Sequence, residues 1–378
     1  MASNSRGKRP NRETVMKLWL AAGGRCQFEG CNKRLYCDDL TWEEFNGSNI
    51  AHIIASSPDG PRGNAKSNVM SDNIENLMLL CPMHHKEIDS VIEKFGEEYL
   101  KEMKKTQEQK VQELLEGMNY PETEIVILES PIKGFQKVAV DHKQTAEAVR
   151  SIKKKPASIC PLVLSVNSCG SYSSKEYWNI LTRNLVDDFE AQVERRLKSY
   201  PTLSAAVFPI APIPLVAKLG ELFGDKRCID VFQKHRTPNT WIWQSVESTN
   251  SFNVNKKINK EGDCGKAAII MSLTAEISVE RVIPVCNFGI IYQISSAKHT
   301  TDSIESLEDL KEFWQAFQSV CDQIVNDDQL KQAAVFPAVP VSAAFEIGRR
   351  HMPGVHPTLQ LYDDCNGFFH ALDIGGNK

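Results

Sequence analysis

Long apolar segments are absent from this sequence. No stretch approaches the roughly 20 consecutive apolar residues that span a membrane, and the N-terminus lacks the apolar core of a signal peptide. These absences argue against a membrane partner and predict a cytoplasmic protein. A strong charge of one sign is missing as well, because the net charge is only −4 over 378 residues. The overall charge therefore gives no indication of nucleic-acid binding, and the length predicts two or three domains.

Positive charge is nevertheless concentrated at the N-terminus. The first acidic residue is Glu13, and four basic residues precede it: Arg6, Lys8, Arg9 and Arg12. Such an arm can follow a phosphate backbone. It is equally typical of a solubilising, unstructured terminus.

The sequence contains eleven cysteines, which in a cytoplasmic protein are not expected to form a disulfide framework. Two pairs have the spacing of metal ligands: Cys26 and Cys31 form C-x4-C, and Cys81 and His84 form C-x2-H. Together they can supply the four ligands of a tetrahedral structural zinc, with Cys37 as a rival for one place. A module with so little apolar core needs a metal of this kind for stability.

A His, Asn, His series accompanies these pairs. His52 lies in the predicted strand Ile50–Ala55, Asn76 lies in Asn-Ile-Glu-Asn-Leu, and His85 follows His84. This order closely resembles the HNH endonuclease family, whose fold is a ββα-metal finger. The resemblance implies a general base that activates water and one divalent cation, Mg²⁺ or another, that holds the scissile phosphate. A phosphodiester anion repels a nucleophile, so hydrolysis needs both groups.

The family roles carry over by position. His52 matches the general base, Asn76 the residue that positions the His loop or the metal, and His85 a ligand of the catalytic cation. Many relatives have a ligating Asp or His directly before the base, where this chain has Ala51, although a subset carries Ala-His-Ile. The remaining ligands are then water or two weak candidates in the following loop, Ser56 and Asp59.

The remainder of the chain alternates predicted strands and helices, which favours an α/β fold with a largely parallel sheet. An internal repeat lies within it. Ala205–Pro209 recurs as Ala333–Pro337, at an offset of 128 residues (from 205 to 333). Two further pairs match at the same offset: Pro212 with Pro340, and Gly220 with Gly348. The repeat predicts two fused copies of one α/β unit related by pseudo-symmetry.

A domain built from this repeat resembles the SAVED domain, which consists of two fused CARF-like, Rossmann-like units. The order of the domains resembles the HNH–SAVED effectors of CBASS anti-phage systems. We therefore predict a zinc-stabilised HNH module with a C-terminal linker helix at 1–118, a connector at 119–157 and a SAVED sensor at 158–378. The halves of the sensor are expected at about 158–262 and 263–378.

The resemblance implies a function and partners. A nucleotidyltransferase of the same bacterial cytoplasm would make a cyclic di- or oligonucleotide, and the SAVED domain would bind it. Binding would drive the assembly of a homo-oligomer, a dimer that becomes a tetramer, and the HNH modules would then degrade double-stranded DNA in abortive infection.

Ligands of open parallel sheets bind beyond the carboxyl ends of the strands. Four predicted loops lie there: Asn167–Ser174, Pro209–Pro214, Thr274–Ser278 and Pro337–Ser342. Bases need flat stacking partners, and phosphates need cations or backbone donors. The candidate side chains are Tyr172, Lys175, Trp178, Trp241, Trp243, Phe345 and Arg349. Core packing competes as the interpretation of each aromatic residue, so the loops are the firmer prediction.

Two other functions remain open. One is an HNH restriction endonuclease whose C-terminal domain recognises modified DNA. The other is a zinc-stabilised DNA-binding or scaffold protein with an inactive site, which the presence of His52, Asn76 and His85 disfavours.

Overall fold

The computed structural model describes residues 9–133, 135 and 138–376, so Arg6 and Lys8 of the basic arm lie outside the described residues. The chain divides into an N-terminal unit, Met1–Asn119, and a C-terminal unit, Tyr120–Lys378. Among the described helices, none is long and apolar enough to cross a membrane.

The N-terminal unit combines one short hairpin with several helices. Its elements are α1 (Arg12–Ala21), β1 (Asn49–His52), α2 (Ser67–Met70), β2 (Leu77–Leu80), α3 (Pro82–Ser90) and α4 (Glu97–Glu116). The strands β1 and β2 pair antiparallel, with His52 opposite Leu77. Every residue of β2 is buried, so this strand forms the centre of a small apolar core.

The region predicted to end in a linker helix contains two helices, α3 and α4, which residues 91–96 separate. The first, α3, has Cys81 at its N-cap and Pro82 at its first position, where the missing N–H of proline loses no hydrogen bond. Gly96 is the N-cap of α4. The second helix buries Leu100 and Met103 in the same core as the hairpin, so α4 is an integral part of the N-terminal unit.

The C-terminal unit contains two sheets. The strands are β3 (Glu122–Glu129), β4 (Lys155–Pro156), β5 (Leu162–Ser165), β6 (Ser204–Ile210), β7 (Ile229–Val231), β8 (Phe252–Ile258), β9 (Asp263–Ser272), β10 (Phe288–Ser296), β11 (Gln332–Ala338), β12 (Thr358–Asp364) and β13 (Phe368–Ile374). The helices are α5 (His142–Ser151), α6 (Lys175–Asp188), α7 (Arg195–Ser199), α8 (Ile213–Phe223), α9 (Val279–Val282), α10 (Leu307–Asn326) and α11 (Val341–Arg349). One π-helical turn, Phe189–Glu194, joins α6 to α7.

Both sheets are parallel at their centres. The first has the order β4, β3, β6, β7, with β5 also paired to β3, and all of these pairs are parallel. The second has the order β13, β12, β11, β9, β10, β8, and only its two edge strands run antiparallel to their neighbours. The predicted α/β architecture of this region is therefore confirmed. The antiparallel edge strands of the second sheet were not predicted from the sequence.

The segment predicted as a connector, 119–157, belongs to the first sheet. Its strand β3 lies at the centre of that sheet, and Ile125–Leu128 are buried. A strand covered on both faces needs an apolar middle, which Ile125–Leu128 supply, whereas the glutamates of β3 lie toward its two ends. The first half of the repeat thus begins at β3, near residue 122, and the second at β8, near residue 252. The first half therefore starts earlier than the expected position near 158, whereas the expected position near 263 coincides with the first residue of β9, Asp263.

Pairing of the strands also defines the repeat. In the first half β3 lies between β5 and β6, and in the second β9 lies between β10 and β11. The strand β3 therefore corresponds to β9, and β6 to β11, as the repeated Ala-Ala-Val-Phe-Pro segment predicts.

The two halves meet where α8 crosses α11, at the glycines of the repeat. A Cβ added to Gly220 would lie 2.0 Å from the carbonyl oxygen of Phe345, and one added to Gly348 would lie 1.7 Å from that of Ala217. No side chain fits at either position. The matched glycines therefore allow the two helix backbones to contact each other directly.

We expect Gly348→Ala to destabilise the C-terminal unit. Alanine is the better helix former, but its methyl group would overlap a backbone carbonyl that can move only with α8. The expected loss is about 1–3 kcal/mol in the free energy of unfolding, measured in urea. Gly376→Ala is the control, because its Cβ would meet nothing closer than Asp373 Cβ at 3.8 Å. Unchanged or increased stability of Gly348→Ala would contradict this account of the crossing.

Candidate functional site

Four predicted metal ligands of the N-terminal unit lie together. The ligand atoms of Cys26, Cys31, Cys81 and His84 are all within 4.8 Å of one another. The Nδ1 atom of His84 is 3.6 Å from Cys26 Sγ and 3.3 Å from Cys81 Sγ. With zinc–sulfur bonds near 2.3 Å and zinc–nitrogen bonds near 2.0 Å, tetrahedral ligands are roughly 3.5 Å apart, so this donor set fits zinc. Cys37, the rival ligand, is not in the group.

Local structure brings the ligands together from two turns. Cys26 is held after α1 by its backbone N–H, which donates to Lys33 O over 2.9 Å. Cys81 directly follows β2 and caps α3, which places His84 in the first turn of that helix. The ring of Phe28 stacks on His84 with centroids 4.0 Å apart and thereby fixes the imidazole plane.

The buried Cys26 thiol has a perturbed pKa. Burial raises the pKa of the Cys26 thiol to about 12, and the backbone N–H of Cys81, 3.3 Å from its sulfur, opposes that rise. Such a thiol carries its proton at neutral pH. Metal binding as thiolate would therefore release protons.

His52 lies at the end of β1 and is partly exposed. Its Nε2 atom is 3.1 Å from the carbonyl oxygen of Ser71. A hydrogen bond to a carbonyl requires the proton on Nε2, which leaves Nδ1 as the basic nitrogen.

Asn76 is fully buried beside this strand. Its Oδ1 accepts from Ile54 N over 2.7 Å, and its Nδ2 donates to Ile54 O over 2.8 Å and to Met70 O over 3.1 Å. The side chain therefore holds the backbone two residues after His52. Of the two roles expected for Asn76, this geometry favours positioning of the His loop over metal binding.

His85 has an acidic neighbour that the sequence analysis missed. Asp89 follows it by one turn on α3, and its Oδ2 lies 3.7 Å from His85 Nε2. The i, i+4 spacing within a predicted helix was the available signal. Asp59 was a weak candidate for a further ligand of the catalytic cation. Within the part of the chain that the structure describes, it does not form a three-residue ligand group with His85 and Asp89. Ala51 is buried and offers no ligand atom.

A groove of about 600 Å³ lies at the carboxyl ends of β6 and β11 in the C-terminal unit. Three of the four predicted loops supply its walls: Pro209–Pro214, Thr274–Ser278 and Pro337–Ser342. The fourth, Asn167–Ser174, contributes none of the groove's described lining residues. Four basic side chains also line it: Lys133, Lys234, Arg236 and Arg281.

The two halves give the groove different charges. Lys234 comes from the first half, where burial lowers the pKa of its amine and Gln144 Oε1 accepts from its Nζ over 2.8 Å. In the second half Arg281 donates to Asp364 Oδ2 over 2.9 Å. Burial raises the pKa of the neighbouring Asp363 carboxyl, which accepts from the Tyr172 hydroxyl over 2.5 Å. Three of the four basic lining residues (Lys133, Lys234 and Arg236) belong to the first half, and the acidic lining residues Glu276, Asp363 and Asp364 belong to the second, so the first half carries more positive charge.

None of the seven predicted ligand-binding side chains is among the described residues that line the groove. Trp178, Trp241 and Phe345 are fully buried in the apolar core. The Trp178 indole donates to Tyr172 O over 2.8 Å, so it supports the residue that contacts Asp363.

The other predicted side chains lie elsewhere in the C-terminal unit. Lys175 is exposed at the first residue of α6. Trp243 packs against His235 with ring centroids 6.0 Å apart. Arg349 donates to Glu346 Oε1 over 2.7 Å and lines a separate depression. The basic lining residues Lys234 and Arg236 were missed, although their position just after β7 was a usable signal.

A two-part α/β fold with a groove of ligand size at the strand ends defines a small-molecule-binding domain. The family model of the SMODS-associated and fused to various effectors sensor domain, SAVED, matches residues 185–374, and the chain belongs to this family. The expectation of a SAVED sensor is confirmed, whereas the HNH module stays a prediction.

Several solved structures are similar to the chain. The Cap4 SAVED/CARF-domain containing receptor of Acinetobacter baumannii with the cyclic trinucleotide 2'3'3'-cAAA has 12% identity and a TM-score of 0.45, over 76% of this chain and 61% of the receptor. Another structure of that receptor has 13% identity and a TM-score of 0.42, over 82% and 65% of the two chains. The Cap4 SAVED/CARF-domain containing receptor of Moraxella osloensis has 14% identity and a TM-score of 0.37, over 77% of this chain and 60% of the receptor.

This chain therefore spans less than two thirds of the length of these receptors. A comparison with curated proteins found no match.

Proposed function

We propose that this protein is a metal-dependent endonuclease of double-stranded DNA, activated by a cyclic di- or oligonucleotide in bacterial anti-phage defence. The observation that carries the proposal is the combination, in one chain, of a SAVED sensor with a hairpin and helix that bear His52, His85 and Asp89. A sensor domain needs an output, and these three side chains are suited to phosphodiester hydrolysis.

In the proposed reaction His52 accepts a proton from the attacking water through Nδ1, while Nε2 stays bonded to Ser71 O. Asn76 keeps the loop after His52 in place. A divalent cation, Mg²⁺ or another, would neutralise the phosphodiester charge and stabilise the leaving oxygen. His85 Nε2 and Asp89 Oδ2, 3.7 Å apart, would hold it.

The proposed binding of the cation by His85 Nε2 determines the tautomer of that histidine. If Nε2 binds the cation, Nδ1 carries the proton and needs an acceptor. The side-chain amide of Asn49 lies 3.4 Å from Nδ1. With the amide oxygen turned toward the ring, Asn49 would accept that proton and orient the imidazole.

The cysteine and histidine cluster has a structural role in the proposal. Cys26, Cys31, Cys81 and His84 would hold one zinc ion with no open position for a substrate. The zinc would fix the turn after α1 to the start of α3, and therefore the helix that bears His85.

The groove is the proposed nucleotide site. Equivalent loops of the two halves, Pro209–Pro214 and Pro337–Ser342, present two similar walls that suit a cyclic, near-symmetric ligand. The basic side chains Lys133, Lys234 and Arg236 would contact its phosphates. Ligand-driven assembly of a homo-oligomer would then bring nuclease modules together on DNA.

We expect the protein to cut plasmid DNA with Mg²⁺ only when a member of a cyclic-nucleotide panel is added. His52→Ala should lower the rate by about 10²–10⁴-fold, because the general base is lost. His142→Ala, which removes an exposed histidine of the C-terminal unit, is the control. Gel assays measure cleavage, and light scattering measures assembly.

Cutting that ignores every cyclic nucleotide but depends on base modification would replace the proposal with the restriction-nuclease alternative. Wild-type cleavage by His52→Ala would show that the base is assigned wrongly. Binding of DNA without any cutting would favour the scaffold alternative.

Arg236→Gln should raise the concentration of cyclic nucleotide needed for half-maximal activation by about 10–100-fold, because a charge-assisted phosphate contact is removed. Titration calorimetry with the active nucleotide gives the same comparison without DNA. Arg150→Gln is the matched control, since Arg150 is exposed on α5 and does not line the groove. Equal affinities for wild type and Arg236→Gln would place the ligand elsewhere.

The purified protein should contain about one zinc ion per chain by elemental analysis, and Cys81→Ser should lose it. The thermal transition of the N-terminal unit should disappear with the metal, because its core is small. Cys160→Ser, an exposed cysteine outside the cluster, is the control. An N-terminal unit that keeps its fold after complete removal of zinc by a chelator would contradict the structural role.

A further inference from the structure

Arg62 is an almost completely buried cation within the N-terminal unit. It lies in the loop between β1 and α2, and only 5% of its side chain is exposed. Its φ of 57° is in the left-handed region, which residues other than glycine seldom adopt. Burial of a guanidinium requires partners for its donors, and these partners lie on two different elements.

One set of contacts is to the strand that bears the proposed base. Arg62 Nε donates to Ile53 O over 2.6 Å, and Nη2 lies 3.5 Å from His52 O. The guanidinium therefore holds the backbone at His52 and at the residue that follows it.

The other set is to the last turn of α3. Arg62 Nη1 donates to Ile88 O over 2.6 Å, and Nη2 donates to Asp89 Oδ1 over 2.8 Å. Carbonyls in the last turn of a helix lack intrahelical donors, so Ile88 O depends on a side chain such as this one. A cation here also interacts favourably with the helix dipole.

The two oxygens of Asp89 have different neighbours. Oδ1 accepts from Arg62, whereas Oδ2 faces His85 Nε2 at 3.7 Å. The contact with Arg62 therefore determines which oxygen faces the histidine. Lysine could not reproduce it, because only the planar guanidinium supplies several donors in fixed directions.

We propose that Arg62 is a positioning residue of the nuclease site: it fixes the separation between His52 and the His85–Asp89 pair and turns Asp89 Oδ2 toward the cation. The inference rests on the proposed nuclease function. Arg62 itself touches neither substrate nor metal in this scheme and acts through Asp89 and the backbone of β1.

The test is binding of Mn²⁺ to the full-length, zinc-loaded protein, followed by electron paramagnetic resonance. Arg62→Lys and Arg62→Gln should each weaken Mn²⁺ binding by about 10–100-fold, the usual effect of losing a residue that orients a metal ligand. In an Asp89→Asn background the same changes should have little further effect, because Arg62 acts through that carboxylate.

Arg34→Lys is the matched control. Arg34 also pairs with an aspartate of the N-terminal unit, through Nε and Asp39 Oδ1 at 2.7 Å, and its guanidinium also lies over the ring of Trp42, so it contacts residues outside β1 and α3. Its Mn²⁺ affinity should equal that of the wild type. The cation dependence of DNA cleavage provides a second measurement of the same shift.

Wild-type Mn²⁺ affinity in folded Arg62 variants would overturn the inference and leave the nuclease proposal intact. Loss of fold in both Arg62 variants would also overturn it, because Arg62 would then be a residue of general stability. A wild-type protein that neither binds Mn²⁺ nor cuts DNA would instead overturn the nuclease proposal.

Discussion

The direct contact between α8 and α11 is the constraint on which the C-terminal unit depends. Side chains normally hold packed helices about 8–10 Å apart, but Gly220 and Gly348 leave nothing between the backbones at this crossing. Each helix starts immediately after a strand whose end lines the groove, β6 for α8 and β11 for α11. The approach of the two glycines therefore sets the distance between the two walls.

Pseudo-symmetry of the backbone does not extend to the chemistry of the groove. Lys234 and Arg236 come from the first half, and the ion pair of Arg281 with Asp364 comes from the second. The halves are also joined by a buried contact, in which Gln233 Oε1 accepts from the backbone N–H and the hydroxyl of Ser342. A ligand would thus meet walls of the same shape but of different charge.

Features that depend on local spacing could be predicted from the sequence. The C-x4-C and C-x2-H pairs do come together, and the repeated segment does mark equivalent strands. Features that depend on which face of a helix or strand is buried could not be predicted from the sequence. Trp178 and Trp241 were candidate stacking partners, but a large ring gains more free energy in the core than at a surface. Arg62 has no sequence signature at all, because its partners lie on separate elements.

The order of the two units along the chain has a consequence for synthesis. All the groups of the proposed nuclease site lie between Cys26 and Asp89, whereas the groove is complete only once Phe368 has been made. Domains generally fold as they emerge from the ribosome, N-terminal first. The N-terminal unit would therefore exist for some time on each nascent chain before the SAVED domain does. The proposed nuclease would then be made before any sensor that could restrain it, so this order suits activation by the sensor rather than release from inhibition.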